Sequence, residues 1–101
     1  MIRSSNPLAQ EPRYELVTRV LRNNIVNSKL PQGFVLLEGP IATVMQTSRV
    51  PVQCALRQLL EEGLIHRFDG RGYLVGDAQN PSPPLRRDIR DLVLDIPKGF
   101  G

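Results

Sequence analysis

The stretch Ser48-Arg-Val-Pro-Val-Gln-Cys-Ala-Leu-Arg-Gln-Leu-Leu-Glu-Glu62, followed by Gly63, has the marks of one amphipathic helix. The Ser48 hydroxyl is placed to accept from the first free backbone N–H groups. Pro51 falls in the first turn, where its missing N–H has no helical partner to lose. Val52, Ala55, Leu56 and Leu59 recur at spacings of three and four and form one buried stripe. Gly63 supplies a left-handed stop. The opposite face begins with Arg49, Val50, Gln53 and Cys54 and continues to Arg57, with both acids at its far end. A basic-to-neutral outer face at the N-terminal end fits a helix that lies in a DNA groove. A core helix with a solvated face satisfies the same pattern.

Upstream, Gly39-Pro40 starts a helix of about two turns with Ile41, Val44 and Met45 on its apolar side, too short to stand without a partner. Gln46-Thr47 leaves a tight turn before Ser48, so the order is short helix, turn, longer helix. The turn lacks the usual Gly; Gln46 stands in its place and has to adopt the required conformation at some cost. Farther back, Pro12 suits the first position of a helix, with Glu11 at its positive end. Tyr14, Val17, Val20, Leu21 and Ile25 give that helix a stripe, and Asn27 to Gly33 end it. Phe34 to Leu37 is a short β-prone run between the two. Residues 1–10 are small and polar, the composition of a flexible arm.

Downstream of Gly63 the period changes to two. Leu64 to Phe68 and Tyr73 to Val75 read as strands around the hairpin turn Asp69-Gly70-Arg71-Gly72. A hairpin directly after a helix-turn-helix is a wing, and Phe34–Leu37 can add a third strand. The expected fold is therefore α+β, mostly α: a winged helix-turn-helix with a small antiparallel β wing, spanning residues 11–76. Residues 77–84, with Asn80-Pro-Ser-Pro-Pro84, have the composition of a linker. Leu85, Ile89, Leu92, Val93 and Ile96 repeat at helical spacing, which predicts a short helix within residues 85–101 and the start of a C-terminal region.

At 101 residues, 41% apolar and 23% charged, the chain is ordinary globular material for one small domain. Its net charge is +3, and the whole excess lies within residues 1–76. Eleven of the thirteen cations are Arg, which favours forked contacts to phosphate. One cysteine excludes an internal disulfide, and one histidine, His66, excludes a site that needs two. No apolar run approaches the roughly eighteen residues of a membrane span, and no signal-peptide apolar region opens the chain. The expectation is a cytoplasmic protein without cofactor, metal or membrane association, and not an enzyme.

Tyr14 to Val75 resembles the N-terminal DNA-binding domain of GntR-family bacterial transcription regulators. The resemblance rests on Leu30-Pro31-x-Gly33, Leu37-Glu38, Ser48-Arg49-x-Pro51-Val52, Ala55-Leu56-x-x-Leu59, Glu62-Gly63-Leu64-Ile65 and Gly70-Arg71-Gly72-Tyr73-x-Val75, all in register. It implies a homodimer on the double-stranded DNA of a pseudo-palindromic operator, and a small-molecule effector bound only through a C-terminal domain beyond this chain. The Leu-Glu pair and the helical spacing of the tail lean toward the FadR-like branch. Three positions depart from the family pattern. Gly39 and Pro40 replace an acidic-basic or acidic pair, removing a basic phosphate contact seen in some members. Gln53 stands where Arg reads guanine, and a Gln suits adenine. Cys54 replaces a residue that is usually acidic.

The candidate DNA-binding residues are Ser48, Arg49, Val50, Pro51, Gln53, Arg57, Gly70, Arg71 and Gly72. Arg49 can fork onto guanine or a phosphate, or stand solvated. Gln53, one turn on, is a base contact or a plain surface residue. Val50 and Pro51 touch a thymine methyl or merely set the helix start. Arg57 reaches a phosphate or pairs with Glu61. Ser48 donates to phosphate or caps its own helix. Gly70-Arg71-Gly72 places backbone and guanidinium in the minor groove, or is a simple turn. His66 and Cys54 read more simply as a strand side chain and a small surface residue than as a phosphate contact and a redox sensor. A winged helix used for protein or RNA contact is the alternative to DNA binding.

Overall fold

The computed structural model describes residues 12–97. The expected arm at residues 1–10, the placement of Glu11 and the last four residues lie outside them. The order is α1 (Arg13–Val26), β1 (Val35–Leu36), α2 (Glu38–Val44), α3 (Arg49–Glu61), β2 (Ile65–Phe68), β3 (Gly72–Val75) and a 3-10 turn at Ile89–Asp91. This is the expected α+β winged helix.

The core forms where α1 crosses α3. Val17, Val20, Leu21 and Ile25 of α1 are buried, as are Val52, Ala55, Leu56 and Leu59 of α3. Burying one such aliphatic side chain contributes about 1.5–3 kcal/mol, so this contact fixes the orientation of α3. Ile41 and Ala42 of α2, with Met45 just past its end, close one side of the core, and Leu30, Phe34, Leu36, Ile65 and Val75 close the sheet side. Tyr14 departs from the expected stripe: it is 40% exposed, because α1 has barely begun there. Pro12 is likewise one residue short of the helix; its carbonyl accepts from Glu15 N–H (3.0 Å) and Leu16 N–H (3.2 Å).

Gln46 adopts φ +54° in the turn between α2 and α3. An L-residue pays roughly 1–2 kcal/mol for this conformation, offset here by the packing of both helices. Thr47 N–H donates to the Ala42 carbonyl (3.0 Å) and closes the turn. At the other end of α3, Gly63 takes φ +78°, the left-handed stop expected from the sequence.

The sheet order is β1-β3-β2, antiparallel throughout. In the hairpin Ile65 faces Val75 and Phe68 faces Gly72; β1 sets Val35 opposite Leu74. The Phe34–Leu37 run thus joins the wing as its third strand, as expected.

The tail does not form the helix that its spacing predicts. Leu85 N–H donates to the Gly33 carbonyl (2.7 Å), and the Leu85 carbonyl accepts from Val35 N–H (3.1 Å), which holds Leu85 in an extended conformation beside β1. The supposed linker lies against the domain: Gly33, at φ +85°, packs so tightly under Pro83 and Ser82 that a Cβ would collide. Asp88 then caps the 3-10 turn by accepting Arg90 N–H (2.8 Å). Ile89 is buried, Leu85, Leu92 and Leu94 pack on the core, and Val93 is 84% exposed. The apolar residues are covered, but along a strap rather than along one helical face. Asn24, fully buried on α1, fastens its end by donating to the Asp95 carbonyl (3.0 Å) and accepting Asp95 N–H (2.8 Å).

Candidate nucleic-acid interface

The apolar stripe of α3 faces α1, which turns the opposite face outward along its whole length. Arg49, Val50, Gln53 and Arg57 are exposed, with Val50 at 64%, while Pro51 and Cys54 are half-buried. The Ser48 hydroxyl makes no capping hydrogen bond, contrary to expectation, although Ser48 does occupy the cap position with extended backbone. Its hydroxyl stands exposed at the start of the helix.

Arg49 lies across the start of α2. Its Nη2 is 3.0 Å from where a Cβ on Gly39 would stand, so any side chain at 39 would displace it. Bare Gly39 therefore makes room for this guanidinium. Gln53 is tied to α2 as well: its Nε2 donates to Glu38 Oε1 (3.1 Å). That contact uses one amide hydrogen and leaves the carbonyl oxygen and the second hydrogen for an adenine edge. The sequence reading missed this role of Glu38; an acid fifteen residues from its partner carries no local signal.

The wing completes the surface. Gly70 and Arg71 are exposed at its tip, but Gly72 is buried: a Cβ there would stand 3.0 Å from Leu37 and 3.1 Å from the Leu36 carbonyl oxygen. Gly72 is a packing requirement and not a surface residue, because Leu36 at the end of β1 and Leu37 just past it pack against it. Arg67 lies over the Tyr73 ring, 5.8 Å from its centroid. Between the wing and the two helices runs an open groove of about 460 Å³ whose lining includes Glu38, Arg49, Arg67, Arg71 and Tyr73.

Arg49, Arg57 and Arg71 form no ion pair among the described residues; the pairing of Arg57 with Glu61 is not made. Several other cations are engaged. Arg22 Nε and Nη2 donate to the two Glu62 oxygens (2.9 and 2.5 Å), and Gln58 Nε2 adds a third bond (2.9 Å). The Arg22 guanidinium and the Gln58 amide together hold the Glu62 carboxyl down to about 2. Lys29 pairs with Asp95 (3.8 Å). Guanidinium charge without a carboxylate partner therefore stands on the outer face of α3 and the wing tip, where its forks suit phosphate and guanine.

His66 Nδ1 lies 2.9 Å from the Gly76 carbonyl oxygen, to which it donates, an ordinary place for a strand side chain. Among the described residues no group of three His, Cys, Asp or Glu side chains could hold a metal ion. None of the described helices is long and apolar enough to cross a membrane.

Comparison with protein families finds one match: the model for bacterial regulatory proteins of the gntR family covers residues 13–75, well over half of the chain. No curated protein matches the sequence. The matched residues are those of the three helices and the wing.

Proposed function

The chain belongs to the gntR family of bacterial regulatory proteins, a family of DNA-binding transcription regulators and not of enzymes, and from that premise we propose how it reads its duplex. Helix α3 lies in the major groove with its N-terminal half against the bases. Arg49 takes guanine or the adjoining phosphate, Gln53, steadied by Glu38, takes adenine N6 and N7, and Val50 and Pro51 contact the neighbouring thymine methyl. Ser48 and Arg57 hold the backbone at the two ends of the contact. The wing sets Gly70 and Arg71 over the adjacent minor groove, where a narrow groove concentrates negative potential. Gly72 packs against Leu36 and Leu37 and takes no part in the contact.

One observation carries this reading. Among the described residues, Arg49, Arg57 and Arg71 have no carboxylate partner, and they lie on the recognition helix and the wing tip. An unpaired exposed cation adds nothing to folding, but it is what a polyanion requires. Residues 11–76 form the reading unit, and two copies engage the half-sites of a pseudo-palindromic operator.

The test is a fluorescence anisotropy titration of a selected duplex over a range of salt. Binding should weaken linearly in log–log form as salt rises. Arg49→Ala should lower affinity on that duplex more than on an unrelated one. Equal affinity for wild type and Arg49→Ala on the selected duplex contradicts the assignment of α3.

A further inference from the structure

The segment after β3 returns along the side of the molecule that carries the unpaired arginines. Leu85 pairs with Phe34 in parallel, and that fixes a direction. Residues after 85 run the way β1 runs, toward the start of α2 and the tip of the wing, where Leu36 lies opposite Tyr73.

Three guanidinium groups follow on this course. Arg86 lies over the Phe68 ring, 5.1 Å from its centroid, and 4.0 Å from the Asp69 carboxylate, so it touches the wing. Arg87 is exposed and borders a recess of about 130 Å³ with Leu37 and Pro40. The chain then turns, anchored by buried Ile89. Arg90 emerges beside an open groove of about 820 Å³, shared with Thr43 of α2, Thr47, Ser48 and Arg49. Among the described residues no carboxylate lines that groove; its polar side chains are hydroxyls, the Gln46 amide and two guanidiniums. Asp88 binds Arg90 through Nε (3.0 Å) and Nη2 (2.6 Å), which fixes the plane of the fork and leaves Nη1 without a partner among the described residues. This is an oriented, half-open donor beside the first turn of α3.

We propose that the strap is part of the DNA-binding surface: Arg87 and Arg90 bind backbone phosphates flanking the major groove that α3 enters. The assignment rests on the reading of α3 given above. The chemistry is that of phosphate: forked N–H donors next to hydroxyls, with no base edge in reach and hence no sequence preference. Arg90 occupies the flank of α2 that bare Gly39 leaves without a cation of its own. Its charge is partly balanced by Asp88, so its contribution is that of a positioning contact rather than of a dominant one. Arg86, engaged with Phe68 and Asp69, braces the strap on the wing.

The experiment compares the full chain with Arg87→Ala, Arg90→Ala, the double variant, Arg90→Lys, Lys29→Ala and Arg49→Ala. Lys29 borders neither groove and controls for net charge. Dissociation constants are read on a selected and an unrelated duplex over a range of salt. Each lost phosphate contact should flatten the log–log salt dependence by about 0.9. The double variant should bind both duplexes several-fold more weakly and by the same factor, with Arg90→Lys close to wild type and Lys29→Ala unchanged. Unaltered affinity and slope in the double variant, with Arg49→Ala still impaired, overturns the role of the strap alone. If Arg49→Ala is also without effect, the reading of α3 fails and takes this proposal with it.

Discussion

The two ends of α3 carry similar side chains and use them in opposite ways. At the C-terminal end Glu62 accepts from both Arg22 and Gln58, so cation, carboxylate and amide satisfy one another across α1 and α3. At the N-terminal end Arg49 rests on bare Gly39 with no carboxylate partner among the described residues. One end is electrically closed and the other open, although a single apolar stripe of Val52, Ala55, Leu56 and Leu59 holds both in place. The contrast separates what a helix needs in order to be positioned from what it presents. Position comes from the stripe and is finished at the closed end; the open end is left for something outside the chain.

The largest effect should come from the stripe common to both ends. Leu56→Ala should cost about 2–5 kcal/mol of stability, the sum of lost burial and a residual cavity. It should weaken DNA binding only through loss of folded protein, as urea denaturation alongside binding at low temperature would show. A binding loss in fully folded Leu56→Ala protein would mean that the orientation of α3 is softer than its packing suggests.

Next is the open end. Arg49→Ala should lose about 1–3 kcal/mol of binding to a preferred duplex with little change in the denaturation midpoint. Gln53→Arg should be of similar size but different in kind. It should move the preferred base opposite residue 53 from adenine to guanine, about 1–3 kcal/mol in discrimination. Affinities for duplexes differing at that one base pair would measure it, and an unchanged preference would remove Gln53 from the reading surface.

The closed end should give the smallest effect. Arg22 and Glu62 are both partly exposed, so Arg22→Ala should cost only about 0.2–1 kcal/mol in stability and nothing in binding. Its pH dependence has a definite sign. The Glu62 carboxyl is lowered from 4.5 to about 2 in the folded chain. The pair therefore contributes fully above pH 4.5 and fades as pH falls through that window toward 2. The stability gap between wild type and Arg22→Ala, measured by denaturant at pH 7 and again in the acid range, should narrow in acid. A gap that widened would mean that Glu62 is not the partner that matters.

The helices and the wing were legible because each carries its own period and punctuation. Val52 to Leu59 show the helical spacing, Gly63 the stop, and Ile65 to Val75 the alternation around a Gly-rich turn. The positive φ at Gln46 was also visible, as the one residue in the turn that had to adopt it. The tail misled for a physical reason. Leu85, Ile89 and Leu92 stand at helical spacing, but the same residues can be covered from an extended strap. The choice was made by hydrogen bonds that Leu85 donates to Gly33 and accepts from Val35, some fifty residues away in sequence, which local spacing does not encode. Arg87 and Arg90 were hidden for the same reason, since nothing in Arg86-Arg-Asp-Ile-Arg90 says that the strap returns to α2. At the candidate site, Arg49, Val50, Gln53 and Arg57 share the exposed face that their spacing set, whereas the burial of Gly72 had no local signal, because Leu36 and Leu37, which pack against it, come from another part of the chain.

The central claim is that the open end of α3 reads duplex DNA while its closed end only holds the helix. Its most direct test is selection of bound duplexes from a random pool at physiological salt, run in parallel for wild type, Arg22→Ala and Arg49→Ala. The account predicts one inverted repeat for wild type, the same repeat for Arg22→Ala, and loss of preference at one base of each half-site for Arg49→Ala. The same motif from all three proteins, or no enriched motif from wild type, would contradict it.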